Sequence, residues 1–124
     1  MAKAKPRTAY VDGFVLLVPT KSLPAYRKMA KLGCTVWMEH GALDYKETIG
    51  DDMKVKWGLP FPQLTKAKRG ETVIFSWITY KSRAHRDKVN AKVMQDARMK
   101  MCSDPMPFDM KRMSYGGFKV IISN

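Results

Sequence analysis

Two acidic residues and one arginine are the side chains whose positions most suggest chemistry. Asp12 interrupts an apolar run from Tyr10 to Val18, and an unpaired carboxylate there would lose its hydration at a large free-energy cost. Arg112 is a suitable partner because a guanidinium can hold a carboxylate at two points. Asp109 comes three residues earlier and could orient that guanidinium. The sequence therefore predicts an Asp12–Arg112 pair with Asp109 beside it.

Two hydroxyl side chains are expected near this pair, on adjacent strands. The predicted site binds the polar end of a small ligand, with Asp12 as base or acceptor and Arg112 holding an anionic group. A purely structural ion pair is the alternative. The candidate ligand-binding residues are Asp12, Ser76, Asp109, Arg112 and Tyr115.

Other kinds of chemistry lack the residues that they need. Neither His40 nor His85 has a second ligand at metal-binding spacing, which argues against zinc or haem. No P-loop or dinucleotide fingerprint occurs. One sulfur-rich stretch could hold Cu(I), although methionine more often fills gaps in a core. Its members are Met99, Met101, Cys102, Met106, Met110 and Met113. We expect neither a metal nor another cofactor.

The charge balance raises the question of an anionic partner. The chain has 23 Lys and Arg against 11 Asp and Glu, a formal charge of +12. This excess indicates either nucleic-acid binding or solubility alone. Because no base-reading motif occurs, any nucleic-acid binding is expected to be weak and non-specific. The connection 53–70 has five basic residues and no acid, and it either serves such a partner or packs over a dimer seam.

Location is predicted from the same composition. The apolar run Phe14–Val18 is too short to span a membrane. No small-residue cleavage site follows it, so we expect a cytoplasmic protein with a flexible basic tail over residues 1–8. Cys34 and Cys102 form no CxxC pair and are expected to be reduced structural thiols.

Four strands are predicted. The strands 10–18 and 72–80 are apolar on both faces, as central strands are. Residues 43–49 alternate in polarity, which is typical of an edge strand. The last strand is predicted over 112–122, where Gly116-Gly117 suggests a bulge or a close backbone approach.

Two helices lie between these strands. Ser22 and Ser82 are predicted to cap them. The first should tolerate Pro24 in its first turn and stop at Gly41, and the second should end at Asp104-Pro105. Their apolar stripes are Leu23, Tyr26, Ala30, Gly33 and Trp37 in the first helix, and Val89, Val93, Ala97 and Met101 in the second.

The element order predicts the fold class. A βαββαβ order is typical of a ferredoxin-like α+β domain, here over residues 9–124. Two helices cover only one face of such a sheet. The other face is also apolar, and a second copy is its simplest cover. We therefore expect a homodimer joined through sheet faces, which forms a dimeric α/β barrel.

Several short segments carry a family resemblance. They are Tyr10-Val11-Asp12-Gly13-Phe14, Phe75-Ser76-Trp77, Arg98-Met99, Met106-Pro107-Phe108-Asp109, Lys111-Arg112-Met113 and Tyr115-Gly116-Gly117-Phe118. On these segments the chain resembles the YbaA-like bacterial proteins, over residues 9–122. The resemblance implies the dimeric α/β-barrel superfamily and a homodimer, but no particular activity. That superfamily includes cofactor-free monooxygenases, lactone isomerases, haem enzymes and small stress proteins, so the fold alone selects no function.

Three functions remain open. The first is a pocket that binds, or transforms, a small anionic or aromatic molecule without metal or cofactor. The second is a non-specific RNA- or nucleic-acid-binding module. The third is a dimeric structural or stress-response protein with no ligand. Asp12 in a core strand favours the first, whereas the +12 charge favours the second.

Overall fold

The computed structural model describes residues 7–101 and 106–124. Within these ranges the chain forms four strands and three α-helices. They are β1 (Tyr10–Pro19), α1 (Leu23–Glu39), β2 (Asp44–Ile49), α2 (Phe61–Thr65), β3 (Glu71–Tyr80), α3 (Arg83–Gln95) and β4 (Ser114–Lys119). Short 3-10 turns occur at Thr20–Ser22, Ala97–Met101 and Met110–Arg112. Residues 1–6 of the predicted tail, Cys102 and the helix end predicted at Asp104-Pro105 lie outside the described residues.

The four strands form one antiparallel sheet in the order β2-β3-β1-β4. The inner pair β1 and β3 runs from Tyr10 opposite Tyr80 to Pro19 opposite Glu71. Their apolar character on both faces predicted this central position, and the alternation of residues 43–49 predicted β2 at an edge. The α+β class is confirmed.

One face of the sheet is covered by α1 and α3. Alternate residues of β1 and β3 point to this face and pack against apolar residues of the two helices, because side chains alternate along a strand. Each buried Val, Leu or Ile side chain stabilises the fold by roughly 1.5–3 kcal/mol. One group of buried residues comprises Tyr10, Val36, Ala42, Ile78, Tyr80, Val89 and Val93. The other comprises Leu16, Val18, Tyr26, Ala30 and Ile74.

The helix ends follow local chemistry. Ser82 caps α3 as predicted, since its hydroxyl accepts a hydrogen bond from the backbone N–H of His85 at 3.0 Å. Ser22 directly precedes α1 but makes no capping hydrogen bond, and the turn Thr20–Ser22 leads the chain into the helix instead. Gly41 follows α1 with φ of +112°, a conformation that favours glycine.

The second long helix is shorter than the sequence predicts. It ends at Gln95 instead of reaching Asp104-Pro105. Asp96 adopts an extended backbone, and its carboxylate accepts a hydrogen bond from the backbone N–H of Arg98 at 2.9 Å. An aspartate that bonds to a backbone N–H two residues later competes with the helix. Ala97, which was predicted to lie on the apolar stripe, is exposed in consequence.

The last strand is also shorter than predicted. It covers Ser114–Lys119 instead of 112–122, and its predicted first residue, Arg112, belongs to a 3-10 turn. Asp109 caps that turn, because its carboxylate accepts a hydrogen bond from the backbone N–H of Lys111 at 3.0 Å.

The sequence suggested either a bulge or a close backbone approach at Gly116-Gly117, and the structure shows the close approach. The register runs without interruption from Gly13 opposite Gly116 to Asp12 opposite Gly117, so there is no bulge at this point. The ring of Tyr10 lies directly against Gly117, where a Cβ would come within 2.8 Å of the ring atom Cε2.

The sheet face away from α1 and α3 remains partly open. Phe75 is 44% exposed and Phe118 is 63% exposed. The helix α2, inside the connection 53–70, covers part of this face, with the rings of Phe61 and Phe75 6.3 Å apart. Among the described residues, no helix combines the length and apolar character required to cross a membrane.

Candidate functional site

A cavity of about 200 Å³ lies between α1 and the helix-covered face of the sheet. Aromatic and sulfur side chains form most of its wall, and Glu47 and Ser76 are among the few polar residues. An apolar recess with a few convergent polar groups is the usual form of a small-molecule site. Its wall includes Phe14, Tyr26, Trp37, Tyr45, Glu47 and Phe108.

Glu47 is held in place by two tyrosine hydroxyls. Tyr26 on α1 donates a hydrogen bond to Oε1 at 2.7 Å, and Tyr45 donates one to Oε2 at 2.7 Å. Tyr45 and Glu47 are alternate residues of β2, so both point to the same face. Gly33 on α1 makes room for this arrangement, since a Cβ there would lie 3.2 Å from the Tyr45 hydroxyl.

Both tyrosines keep their protons at neutral pH. Burial, followed by the neighbouring charge of Glu47, raises the pKa of Tyr26 and of Tyr45 well above the usual range. Each phenol therefore acts as a donor to the Glu47 carboxylate. An ionised carboxylate oxygen can accept more than one hydrogen bond, so both oxygens of Glu47 can accept a further one.

Asp12 is fully buried, and its partner is Arg86 on α3. Arg86 Nη1 donates a hydrogen bond to Asp12 Oδ1 at 2.7 Å, and the aspartate is only 1% exposed. Burial raises the pKa of Asp12, while the charge of Arg86 and the side chains of Asn90 and Tyr80 oppose that rise by favouring the ionised form. The partner that the sequence argument required exists, but it comes from a helix.

Tyr115 belongs to the same polar group. Its hydroxyl lies 3.5 Å from Arg86 Nη1, and its ring stacks on Phe14 with centroids 4.9 Å apart. The Arg86 guanidinium also lies over the Tyr10 ring, 5.0 Å from its centroid, which is within the range of a cation–π contact. Phe14 lines the pocket. The polar group of Asp12, Arg86 and Tyr115 therefore packs behind the part of the pocket wall that Phe14 forms.

The predicted Asp12–Arg112 pair is wrong. Arg112 binds Glu71 at two points, with Nη1–Oε2 at 2.6 Å and Nη2–Oε1 at 3.0 Å. Glu71 lies opposite Pro19, whereas Asp12 lies opposite Ile78, so the two acids are about 24 Å apart along the sheet. Asp109 caps a turn and does not orient the guanidinium toward Asp12.

Ser76 is the predicted site residue that lines the pocket. It is buried, and it lies between Phe14 and Glu47 across the three neighbouring strands. The five candidates therefore separate into three places. Ser76 is in the pocket, Asp12 and Tyr115 share Arg86, and Asp109 and Arg112 lie around the turn before β4.

Sequence reasoning missed Arg86, Tyr26, Tyr45 and Glu47. A signal for Glu47 was present, because the alternation of residues 43–49 put this carboxylate on the face of Tyr45. A signal for Arg86 was present as well. In an antiparallel β1–β3 pair, the chain leaving β3 begins its helix beside the first residues of β1, where Asp12 is.

The described residues contain no group of three or more His, Cys, Asp or Glu side chains that could hold a metal ion. Of the sulfur-rich stretch considered above, Met99, Met106 and Met113 line the pocket. Cys102 and the side chain of Met101 are outside the description. Cys34 is a free, half-buried thiol on α1.

The similarity of this chain to solved structures is too low to indicate a fold or a function. A chain described as a "putative amidohydrolase/peptidase" from Burkholderia cenocepacia is 11% identical, with a TM-score of 0.31. The similarity covers 92% of this chain and 27% of that one.

Relatives found by sequence are far more similar to this chain. A family model described as "Protein of unknown function (DUF1428)" matches residues 9–110. The uncharacterized protein YbaA of Escherichia coli strain K12 is 46% identical over 113 residues, which cover 91% of this chain and 97% of that relative. YbaA of Shigella flexneri gives the same values. With a family match over most of its length and relatives of this identity, the chain belongs to the DUF1428 family and is a YbaA-like protein.

Proposed function

We propose that this protein binds one small, flat, largely apolar molecule in the pocket between α1 and the sheet, without a metal or another cofactor. The cavity itself supports the proposal. A volume of about 150 Å³ is enough for benzene in a dry protein cavity, so about 200 Å³ suits a single ring or a small bicyclic compound. Aromatic walls favour stacking or edge contacts with such a ring.

The pocket favours the aromatic alternative over the anionic one. Among the described residues that line it there is one carboxylate, Glu47, and no Lys or Arg. Arg112, which was predicted to hold an anionic group, is occupied by Glu71. A ligand carboxylate would meet an unfavourable like charge in surroundings of low dielectric constant.

Indole is a suitable probe for the test. In a titration followed by ¹H–¹⁵N correlation spectra, we expect the indole N–H signal of Trp37 to shift, since this side chain lines the pocket and donates to Asn90 Oδ1 at 3.1 Å. Ala30→Leu places extra atoms in the pocket wall and should abolish the shift. Ala25→Leu is the matched control because Ala25 is exposed on the same helix. Unchanged Trp37 signals at millimolar indole, or equal binding by Ala30→Leu, would contradict the proposal.

We also propose that the fold is ferredoxin-like and that two copies pair through their open sheet faces as a dimeric α/β barrel. Two features support this assembly: the strand order β2-β3-β1-β4 with α1 and α3 on one face, and the exposed aromatic residues Phe75 and Phe118 on the other. The pocket lies on the helix side, so pairing leaves it open to a ligand.

A further inference from the structure

The carboxylate of Glu47 has no cationic partner in the part of the chain that the structure describes. None of the ion pairs formed there includes it. Other buried or half-buried carboxylates do have one: Asp12 has Arg86, Glu71 has Arg112, and Asp96 has Arg98. In a protein with 23 Lys and Arg, the partners of this carboxylate among the described residues are two neutral phenols.

The two tyrosine hydrogen bonds fix Glu47 without neutralising it. Both phenols remain protonated donors, so they orient the carboxylate and leave its negative charge in place. One remaining lone-pair direction on each oxygen is free for a ligand donor. The side chain is half-buried beside aromatic walls, where a charge-assisted hydrogen bond is stronger than in water.

The aromatic walls of the pocket also favour a positively charged ligand. Trp37, Tyr45 and Phe14 all line the cavity, and aromatic faces attract cations. The overall charge of +12 opposes a cationic ligand at long range. However, exposed charges farther away than about 8 Å are largely screened at physiological ionic strength, so the contacts inside the pocket decide the preference.

We infer that the ligand of this pocket is a small aromatic amine, whose protonated nitrogen is bound by Glu47 and whose ring lies against the aromatic wall. This inference rests on the proposed function, since it specifies the ligand class of the same pocket. The nitrogen donates to Glu47 Oε1 or Oε2, on the side not taken by Tyr26 or Tyr45.

Three probes of similar size and different charge test the ligand class by calorimetry. They are 2-phenylethylamine as the cation, 2-phenylethanol as the neutral analogue and 3-phenylpropionate as the anion. We expect the amine to bind about tenfold more tightly than the alcohol, because the ammonium group forms an ion pair with the Glu47 carboxylate, whereas the hydroxyl of the alcohol donates a hydrogen bond without a charge of its own. The propionate should bind more weakly than the alcohol.

The variant Glu47→Gln shows whether this carboxylate sets the preference. It preserves the side-chain shape and one acceptor oxygen, and we expect it to bind the amine and the alcohol within about twofold of each other. Asp51→Asn is the control, since it removes the same charge from an exposed position outside the pocket, and it should retain the preference for the amine.

The possible outcomes separate the two proposals. If all three probes bind equally, or the propionate binds best, the amine inference is overturned while the proposed pocket function stands. If none of them binds and indole does not bind either, both are overturned. The comparison of probes on the parent chain needs no variant, so the inference stays testable even if Glu47→Gln fails to fold.

Discussion

At the scale of single residues, Gly117 explains how an aromatic ring reaches its position in the core. The Tyr10 ring occupies the space above Gly117, with Cε2 at 2.8 Å and Cζ at 2.9 Å from where a Cβ would be. Real Cβ atoms do not approach a ring this closely, so a side chain at 117 must displace Tyr10. Tyr10 in turn lies under the Arg86 guanidinium. One glycine therefore supports the surroundings of the buried ion pair.

We expect Gly117→Ala to lower the free energy of unfolding by about 1–3 kcal/mol, the usual range for overpacking. The matched control is Gly116→Ala. Among the described residues, its Cβ would approach the Phe118 ring, at 4.0 Å, and no other group within that distance. This substitution should change stability by no more than about 0.5 kcal/mol. Urea unfolding of both variants measures the difference, and equal stabilities would show that Tyr10 moves aside without cost.

At the scale of elements, Arg86 and Asp12 join α3 to β1 through the core. The contact spans 74 positions of sequence and is short because the antiparallel β1–β3 register brings Tyr80 opposite Tyr10. Arg112 and Glu71 make the corresponding connection at the other end, between the turn before β4 and the start of β3. An ion pair therefore links the sheet to a neighbouring segment at each of its two ends.

We expect Arg86→Met to lower the free energy of unfolding by about 3 kcal/mol at neutral pH, since it leaves a buried charge without its partner. The exposed Arg83→Met in the first turn of the same helix is the control and should have little effect.

The loss caused by Arg86→Met should depend on pH. Burial already raises the pKa of Asp12, and removing Arg86 raises it further. Below the usual aspartate pKa, the ionisation of Asp12 has no effect on stability. As the pH rises from there through the raised folded-state pKa of Asp12, the free energy of unfolding falls. The destabilisation should therefore be smaller near pH 4 than near pH 7. A loss that is independent of pH would show that removing Arg86 leaves the pKa of Asp12 where it is in the parent chain.

At the scale of the whole molecule, the two faces of the sheet differ in what covers them. The helix-covered face holds both groups of core residues and the pocket. The other face is covered in part by α2, and it keeps exposed aromatic side chains. A large exposed apolar area on a folded chain marks an interaction surface, which is the reason to expect a second copy there.

Sedimentation at low micromolar concentration should give twice the chain mass of 14.2 kDa. Phe118→Asp puts a charge on the open face and should yield monomers, because a buried unpaired charge destabilises an interface. Met94→Asp is the control: Met94 is similarly exposed, 60% against 63%, but it lies on α3 on the opposite side. Sedimentation of the parent chain as a monomer would contradict the proposed dimer.

Local patterns predicted the elements well where the local signal was strong. Apolar residues on both faces identified β1 and β3 as inner strands, and the polar alternation of residues 43–49 identified the edge strand. Element ends were less predictable. The end of α3 at Gln95 depends on Asp96, whose carboxylate bonds to His40 at the end of α1 as well as to Arg98, and no window of sequence around Asp96 contains that histidine.

The sequence by itself determined that Asp12 needs a cation, since burying a carboxylate without one is too costly in a strand of this composition. It also determined the α+β class and the interior position of two strands, because a strand that is apolar on both faces is stable only where both faces are buried. Only the tertiary structure decided that the cation is Arg86 and that Arg112 pairs with Glu71, since strand register determines which side chains meet. The tertiary structure likewise decided which residues form the pocket. Tyr26 and Glu47 are 21 positions apart, and they meet only because α1 folds back over β2.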